Sequence, residues 1–443
     1  MSSLREWLKR MQSSGEITVR RPAAFHRLEP AAAFLFPGEE KTAQTVYGSC
    51  YYREIAFPLD YRHGSGQLAE LLSCCGADLV LPAKDPALAE FVPAEALFLD
   101  IETTGLAGGT GTLAFLVGLG WYRNGRFVIR QYFLPDPSRE AAMLHHITET
   151  MSRFPGIVTF NGKTFDLPLV RTRQVLHGME EAAKGCFHLD LLPCARRLWK
   201  ERLASCSLKS LETALLGLER VGDIPGAEIP AVYFHYLRTG DTDRLRTVFE
   251  HNVWDILSMV RLLAFAALAA AGKAVTHPAD YLAVGKLYEE QGCREAAAEF
   301  YRKAASCRNR QLQYKAKLHL SLLYKRQGKW QEAKAIWKEL LRNRCENPVP
   351  YLELAKYYEH RAKNFSLALA MTECLLAQGR HLAPSGGQLS REALLYRRER
   401  LLRKIKGPKE RIEAESGLNG GRMRPLFNCK SPAFVVKFTL ADK

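Results

Sequence analysis

The sequence predicts an α/β domain, a mixed five-stranded sheet with flanking helices, followed by an all-α domain of helical repeats. Two observations carry this. Between residues 96 and 190, short apolar and β-branched runs alternate with stretches of helical periodicity. Beyond residue 280, small and aromatic residues recur at one spacing, with Gly285 and Ser321 separated by 36 residues.

The first strand is ALFLDIE at 96–102. TLAFLVGLGWYRNGRFVIRQYFL supplies two more, joined at Asn124-Gly125, a dipeptide that suits a tight hairpin. REAAMLHHITETMSRF is helical, GIVTFNG is a fourth strand, TFDLPLVRTRQVLHG opens a helix near Thr164, and CFHLDLL is the fifth strand. Three consecutive strands, then helix, strand, helix and strand, make a mixed sheet with helices on its faces. Long helical stretches follow at 191–219 and 244–271, and KAVTHPAD at 273–280 reads as a linker in which Pro278 ends the preceding helix.

In the repeats, Gly285, Tyr288, Gly292, Ala297, Tyr301 and Ala304 are followed by Ser321, Tyr324, Gly328, Ala333 and Trp337, and Ala355 and Tyr358 begin a third copy. Small residues where two helices touch, with aromatics beside them, are what stacked helix pairs require. LSREALLYRRERLLRKIKG at 389–407 reads as a capping helix. The chain thus divides into a lead-in region (1–95), the α/β domain (96–272), the repeats (278–407) and a basic tail (408–443). The lead-in opens with Leu4, Trp7, Leu8 and Met11 at the spacing of a small amphipathic helix rather than a signal peptide, and shows no recognisable chemistry.

Composition narrows the class. With 47% apolar and 25% charged residues over 443 positions, wholesale disorder is excluded. No run approaches the roughly 18 uninterrupted apolar residues of a membrane span, so no membrane partner is expected. The eleven cysteines form no CxxC pair, which argues against zinc and fits reduced thiols of a cytoplasmic protein. The formal charge of +16 is unevenly placed: from Lys273 onward there are about 34 basic and 17 acidic residues, leaving residues 1–272 near −1. This asymmetry points to a polyanionic partner, against the alternative of a basic surface kept for solubility.

The chemistry lies in the acids. Side chains two apart in a strand share a face, so Asp100 and Glu102 project together near the end of the first strand. Two such carboxylates repel unless a cation or proton lies between them, and the hard ions Mg²⁺ or Mn²⁺ suit oxygen ligands. The alternative is one exposed acid and one helix cap. Asp166 falls in the first turn of a helix, where the dipole alone would favour it, and His251 and Asp255 share one helix face at i, i+4. Together the four carboxylates and one imidazole suit two metal ions and a hydrolytic water.

The set Asp-x-Glu-Thr-Thr-Gly, Asn-Gly-x-x-Phe-Asp and His-Asn-x-x-Asp resembles the three motifs of the ribonuclease-H-like 3′–5′ exonuclease superfamily, called DEDD after its four metal-binding acids. Within it the chain is similar to the YprB-type family, in which such a domain precedes tetratricopeptide repeats. GLAGGTGTLAFLVGLG at 105–120 and DIPGAEIPAVYFHYLRTGD at 223–241 add to that likeness, which covers most of residues 40–380. The resemblance implies that Asp100 and Glu102 hold two metals, that Asp166 ligates or orients the second, that Asp255 completes the first, and that His251 orients or deprotonates the attacking water. One departure is visible: the residue four before the last Asp is His, but that gap is the one of the subgroup with Tyr there.

Lesser candidates are Asn161, which holds substrate or fixes the turn before Asp166, and Thr103 and Thr104, which can donate near the scissile phosphate. Asp190 reads as structural and Lys209 as solvated. LAGGTG at 106–111 is not a dinucleotide loop, because a strand follows it. The expected function is a metal-dependent 3′–5′ exonuclease acting on single-stranded DNA or RNA. Its rivals are a non-catalytic nucleic-acid scaffold and a repeat-based adaptor. The basic repeats fit nucleic acid or a protein segment equally well.

Overall fold

In a computed structural model, which describes residues 40–105, 111–342, 347–378 and 388–415 (side chains to 406), all five expected strands lie in one sheet. They are β5 (Leu97–Thr103), β6 (Ala114–Arg123), β7 (Arg126–Phe133), β8 (Gly156–Thr159) and β9 (Phe187–Asp190). Two further strands, β1 (Glu40–Thr45) and β2 (Gly48–Pro58), extend it to seven in the order β1-β2-β7-β6-β5-β8-β9. A two-residue hairpin, β3 (Arg62–His63) with β4 (Gly66–Gln67), stands apart from it.

Residues 40–58 were expected in a lead-in region and instead belong to the same compact unit as the other described residues up to Lys273. Their mixed burial and interspersed charges hide the strand alternation. Pairing covers the edge of β7 that would otherwise expose unpaired backbone. The hairpin between β6 and β7 turns at Asn124 (φ 50°) and Gly125 (φ 70°), the two positive-φ residues of a turn matched to strand twist.

β5 is the hinge of the topology: it pairs antiparallel with β6 and parallel with β8. Parallel pairing with β8 ends at Phe98, so the outer half of β5, carrying Asp100 and Glu102, projects past its neighbour. The helices that cover the sheet are α1 (Ala77–Ala83), α2 (Glu140–Met151), α3 (Asp166–Leu176), α4 (Leu191–Trp199), α5 (Ile229–Thr239) and α6 (Asp243–Ala270). The helical stretch expected over 191–219 breaks before Ser207, whose hydroxyl caps a short second turn at Leu208–Leu211.

The 28-residue α6 is long and apolar enough to cross a membrane by length and composition, yet it is mostly buried in the domain. It can approach the sheet because β6 offers two glycines on one face. A Cβ on Gly118 would lie 2.2 Å from Asn252 Oδ1, and one on Gly120 would lie 2.6 Å from Ile256 Cγ2.

The second compact unit, Ala274–Lys443, is all-helical where described. Its helices are α7 (Pro278–Glu290), α8 (Arg294–Ala305), α9 (Arg310–Arg326), α10 (Trp330–Arg342), α11 (Val349–His360), α12 (Phe365–Ala377) and α13 (Arg391–Glu415), each packed on the next. The repeat positions make the helix contacts: a Cβ on Gly285 would touch the Tyr301 ring at 2.8 Å, and Trp337 Nε1 donates to Ser321 Oγ at 2.8 Å. Gly292 and Gly328 end helices at φ +79° and +76°. Some of the excess positive charge is used inside this unit, where the buried Glu359 accepts from Arg397, Arg400 and Lys404. α13 runs past residue 407 to Glu415. The expected N-terminal amphipathic helix, the Gly-rich segment 106–110 and the tail beyond 415 lie outside the described residues.

Gly118→Ala tests the closeness of α6. It should lower stability by about 1–3 kcal/mol in urea unfolding, because the methyl meets Asn252 rather than space. An unchanged midpoint would contradict this packing.

Candidate active site

The site is assembled at the projecting end of β5. Asp100 and Glu102 share one face of the strand and are half-buried. The N–H of Ile101, left without a strand partner on that edge, reaches the Asp166 carboxylate at the start of α3. Asp166 is thereby tied to β5 by the backbone bond that β8 does not make.

The turn leading to Asp166 is fixed by Asp190. Its carboxylate accepts from Asn161 N (2.8 Å) and Lys163 N (3.1 Å), and also caps α4 through Leu192 N (3.0 Å). Asp190 is structural, as the sequence predicted, but the structure it holds is the Asp166 loop. Asn161 has the left-handed φ of 68°, and its side-chain oxygen accepts from Thr164 Oγ1 at 3.2 Å, so in this structure it shapes the turn. Thr103 Oγ1 donates to Gly105 O, and Thr104 pairs with Leu113, its N–H donating to Leu113 O and its hydroxyl oxygen accepting from Leu113 N. The two threonines therefore bond to the chain beside the acids, at Gly105 and Leu113.

α6 supplies the other side. Asn252, fully buried, donates to Asp100 Oδ2 at 2.7 Å and to its carbonyl at 3.2 Å. Asn252 Oδ1 accepts from Gln131 Nε2 (2.7 Å), and Gln131 Oε1 accepts from Arg53 Nε (2.6 Å). Arginine can only donate, so this chain fixes both amide orientations. These residues form one row across the sheet, Arg53 opposite Gln131, Gln131 opposite Gly118 and Gly118 opposite Asp100. The missing side chain at Gly118 leaves the gap that Asn252 bridges.

Next to Asn252 in α6, His251 Nδ1 lies 2.6 Å from Asp223 Oδ1, and Nε2 lies 3.7 Å from Asp255 Oδ2, one turn on. A 2.6 Å approach to a carboxylate assigns the proton to Nδ1 and leaves Nε2 as the basic nitrogen on the Asp255 side. The Tyr-type gap therefore still brings this imidazole beside Asp255. Arg220 Nη2 donates to Asp255 Oδ1 at 2.5 Å and also to Glu212.

The electrostatics follow from crowding. Burial, then the charges of Asp255, Glu102 and Asp166, holds the Asp100 carboxyl well above the usual range. Burial, then Asp255, Asp166 and Asp223, does the same to Glu102. Burial pushes Asp166 up to about 7, against the pull of its backbone hydrogen bonds. Among the described residues no three His, Cys, Asp or Glu side chains close into a finished cation cage. One of the four carboxylates, Asp255, is held by Arg220. The donor set itself, all carboxylate oxygen and mutually repelling, fits a hard divalent ion.

The structure brings Asp100, Glu102, Asp166, His251 and Asp255, the residues singled out in the sequence, to one place. Asn252, Gln131, Arg53, Asp223, Glu212 and Arg220 were not singled out. Asn252 was visible inside His-Asn-x-x-Asp, and Asp223 within 223–241; the others have no local signal.

A carboxyl raised in the folded chain keeps a proton that the unfolded chain has released, so stability falls as pH rises through that window. For Asp166 the window runs from its ordinary 3.8 to about 7. Metal-free protein should lose melting temperature across it, and Mg²⁺ or Mn²⁺ or the change Asp166→Asn should flatten the slope. A slope indifferent to both would contradict the crowded-acid account.

Residues 97–267 match the RNase_H superfamily. The chain is 32% identical over 366 residues to YprB of Bacillus subtilis (strain 168), described as an uncharacterized protein, spanning 80% of this chain and 86% of that one. It is 28% identical over 134 residues to a DNA polymerase of Methanocaldococcus jannaschii, spanning 25% of this chain and 8% of the polymerase. Among solved structures, the family B DNA polymerase from Pyrobaculum calidifontis aligns at 15% identity over 44% of this chain and 29% of that one, with a TM-score of 0.31, too loose to bear on the fold. The chain belongs to the YprB family and carries, at 97–267, an RNase_H superfamily domain, a type that serves nucleic-acid-processing nucleases.

Proposed function

We propose that this protein is a divalent-cation-dependent 3′–5′ exonuclease acting on single-stranded ends of DNA or RNA. The observation that carries this reading is the meeting of Asp100 and Glu102 from β5, Asp166 from α3 and the His251–Asp255 pair from α6 at one projecting strand end. The kinship of part of the chain with a DNA polymerase supports nucleic acid as the ligand. The 3′–5′ polarity rests on the motif resemblance alone.

Asp100, Glu102, Asp166 and Asp255 would hold two Mg²⁺ or Mn²⁺ ions. Bound there, the ions supply Lewis-acid charge against the oxygens of the phosphodiester. The chain's own residues then have distinct tasks. Asp223 takes the Nδ1–H of His251 and keeps Nε2 free to accept a proton from water. The water oxygen forms the new bond to phosphorus, the bond to the 3′ oxygen breaks, and that oxygen leaves with a proton from solvent. Asn252 keeps Asp100 from rotating away. The basic repeat unit would add phosphate affinity by counterion release.

The test uses single- and double-stranded DNA and RNA labelled at either end, with Mn²⁺ or Mg²⁺. Stepwise shortening from the 3′ end is expected, abolished in Asp100→Ala. His251→Ala should slow it by about 10²–10⁴-fold and Asp223→Asn by about 10–100-fold. No shortening of any substrate, or wild-type rates in Asp100→Ala, would overturn the reading.

A further inference from the structure

The acid cluster already contains a cation. The Arg220 side chain is only 4% exposed. Its Nε donates to Glu212 Oε2 at 2.9 Å, and its Nη2 donates to both Glu212 Oε1 and Asp255 Oδ1. Nη1 lies 3.6 Å from Asp223 Oδ2 and 3.4 Å from His251 Nδ1. Its flat face covers Trp254, 5.6 Å from the ring centroid. Behind it, Glu212 accepts from the Ser258 hydroxyl, which lies 2.7 Å from His63 Nε2. Glu212 sits in a single π-helical turn, Glu212–Leu216, an irregularity that places its carboxylate under the guanidinium.

This geometry divides Asp255. Oδ1 is committed to Arg220, while Oδ2 faces His251 Nε2. A guanidinium cannot lose its proton in a protein, so its charge is permanent. It offsets repulsion among the acids in the absence of any ion, and it repels any ion that enters.

We propose that Arg220 is a positioning residue and built-in counter-cation, holding Asp255 by one oxygen and setting how tightly the acid cluster takes a divalent ion. This rests on the reading above that these acids hold such an ion. Two consequences of opposite sign follow. Removing the charge should tighten ion binding, because like charges no longer compete. Removing the fork should slow hydrolysis, because Asp255 and Asp223, the carboxylate that orients His251, lose their shared anchor. An arginine that served only to hold the fold would loosen binding or leave it unchanged.

The experiment titrates Mn²⁺ into the chelator-stripped full chain by calorimetry and follows hydrolysis of a labelled oligonucleotide. Arg220→Gln should bind Mn²⁺ about tenfold or more tightly than wild type while cleaving about 10–100-fold more slowly. Arg220→Lys, which keeps the charge and loses the fork, should bind Mn²⁺ within about twofold of wild type and still cleave slowly. Mn²⁺ affinity in Arg220→Gln equal to or weaker than wild type would overturn the inference. If that variant folds only with ion present, rescue by Mn²⁺ but not by NaCl of matched ionic strength supports it, and no rescue by Mn²⁺ overturns it. Failure of the underlying reading shows separately, as wild-type protein that neither binds Mn²⁺ nor cleaves.

Discussion

Like-charge repulsion at the end of one strand is the constraint on which the rest of this domain depends. Asp100 and Glu102 cannot point elsewhere, because β5 is paired on both sides within the sheet and alternate side chains must share a face. Their neighbours Asp166 and Asp255 add to the strain rather than relieve it. A fold that accepts four mutually repelling, largely buried carboxylates needs compensation from the surrounding chain. It comes in three forms: backbone N–H groups on Asp166, the Asn252 amide on Asp100, and the Arg220 guanidinium on Asp255.

That compensation explains features that are otherwise unconnected. Glycine at 118 is required so that Asn252 can reach Asp100. Gln131 and Arg53 are required so that Asn252 is held the right way round. Residues 40–58 thus serve the acids from three strands away, through the row Arg53–Gln131–Gly118–Asp100. The same logic gives Asp190 its position. It holds the loop that delivers Asp166, and its helix cap and its loop contacts use the same carboxylate.

How much of this the sequence could show follows from the range of each interaction. The five strands from β5 to β9 were legible because β6 is buried almost throughout, β5 is apolar up to its acids, and Asn124-Gly125 marks the hairpin. The five proposed site residues were legible because their motifs are local: i, i+2 on a strand, the first turn of a helix, i, i+4 on a helix. β1 and β2 were not, because their charged residues, the buried Arg53 among them, break the alternation that a strand needs to be read. Arg220 was not, because its partners Glu212 and Asp255 stand 8 and 35 positions away and nothing in either stretch distinguishes that arginine from a solvated one. Asn161 shows the opposite case: a motif position with two readings, for which a left-handed φ and the bond to Thr164 supply a structural task.

The central claim is that the carboxylates at the end of β5 form a divalent-ion site. Anomalous diffraction at the manganese edge, from crystals grown with Mn²⁺, tests it most directly. The account predicts peaks bonded at about 2.0–2.3 Å to carboxylate oxygens of Asp100 and Glu102, with Asp255 reaching the ion through Oδ2 while Oδ1 stays on Arg220. Peaks elsewhere with none at these acids, or Arg220 closed over Asp100 and Glu102 in saturating Mn²⁺, would contradict it.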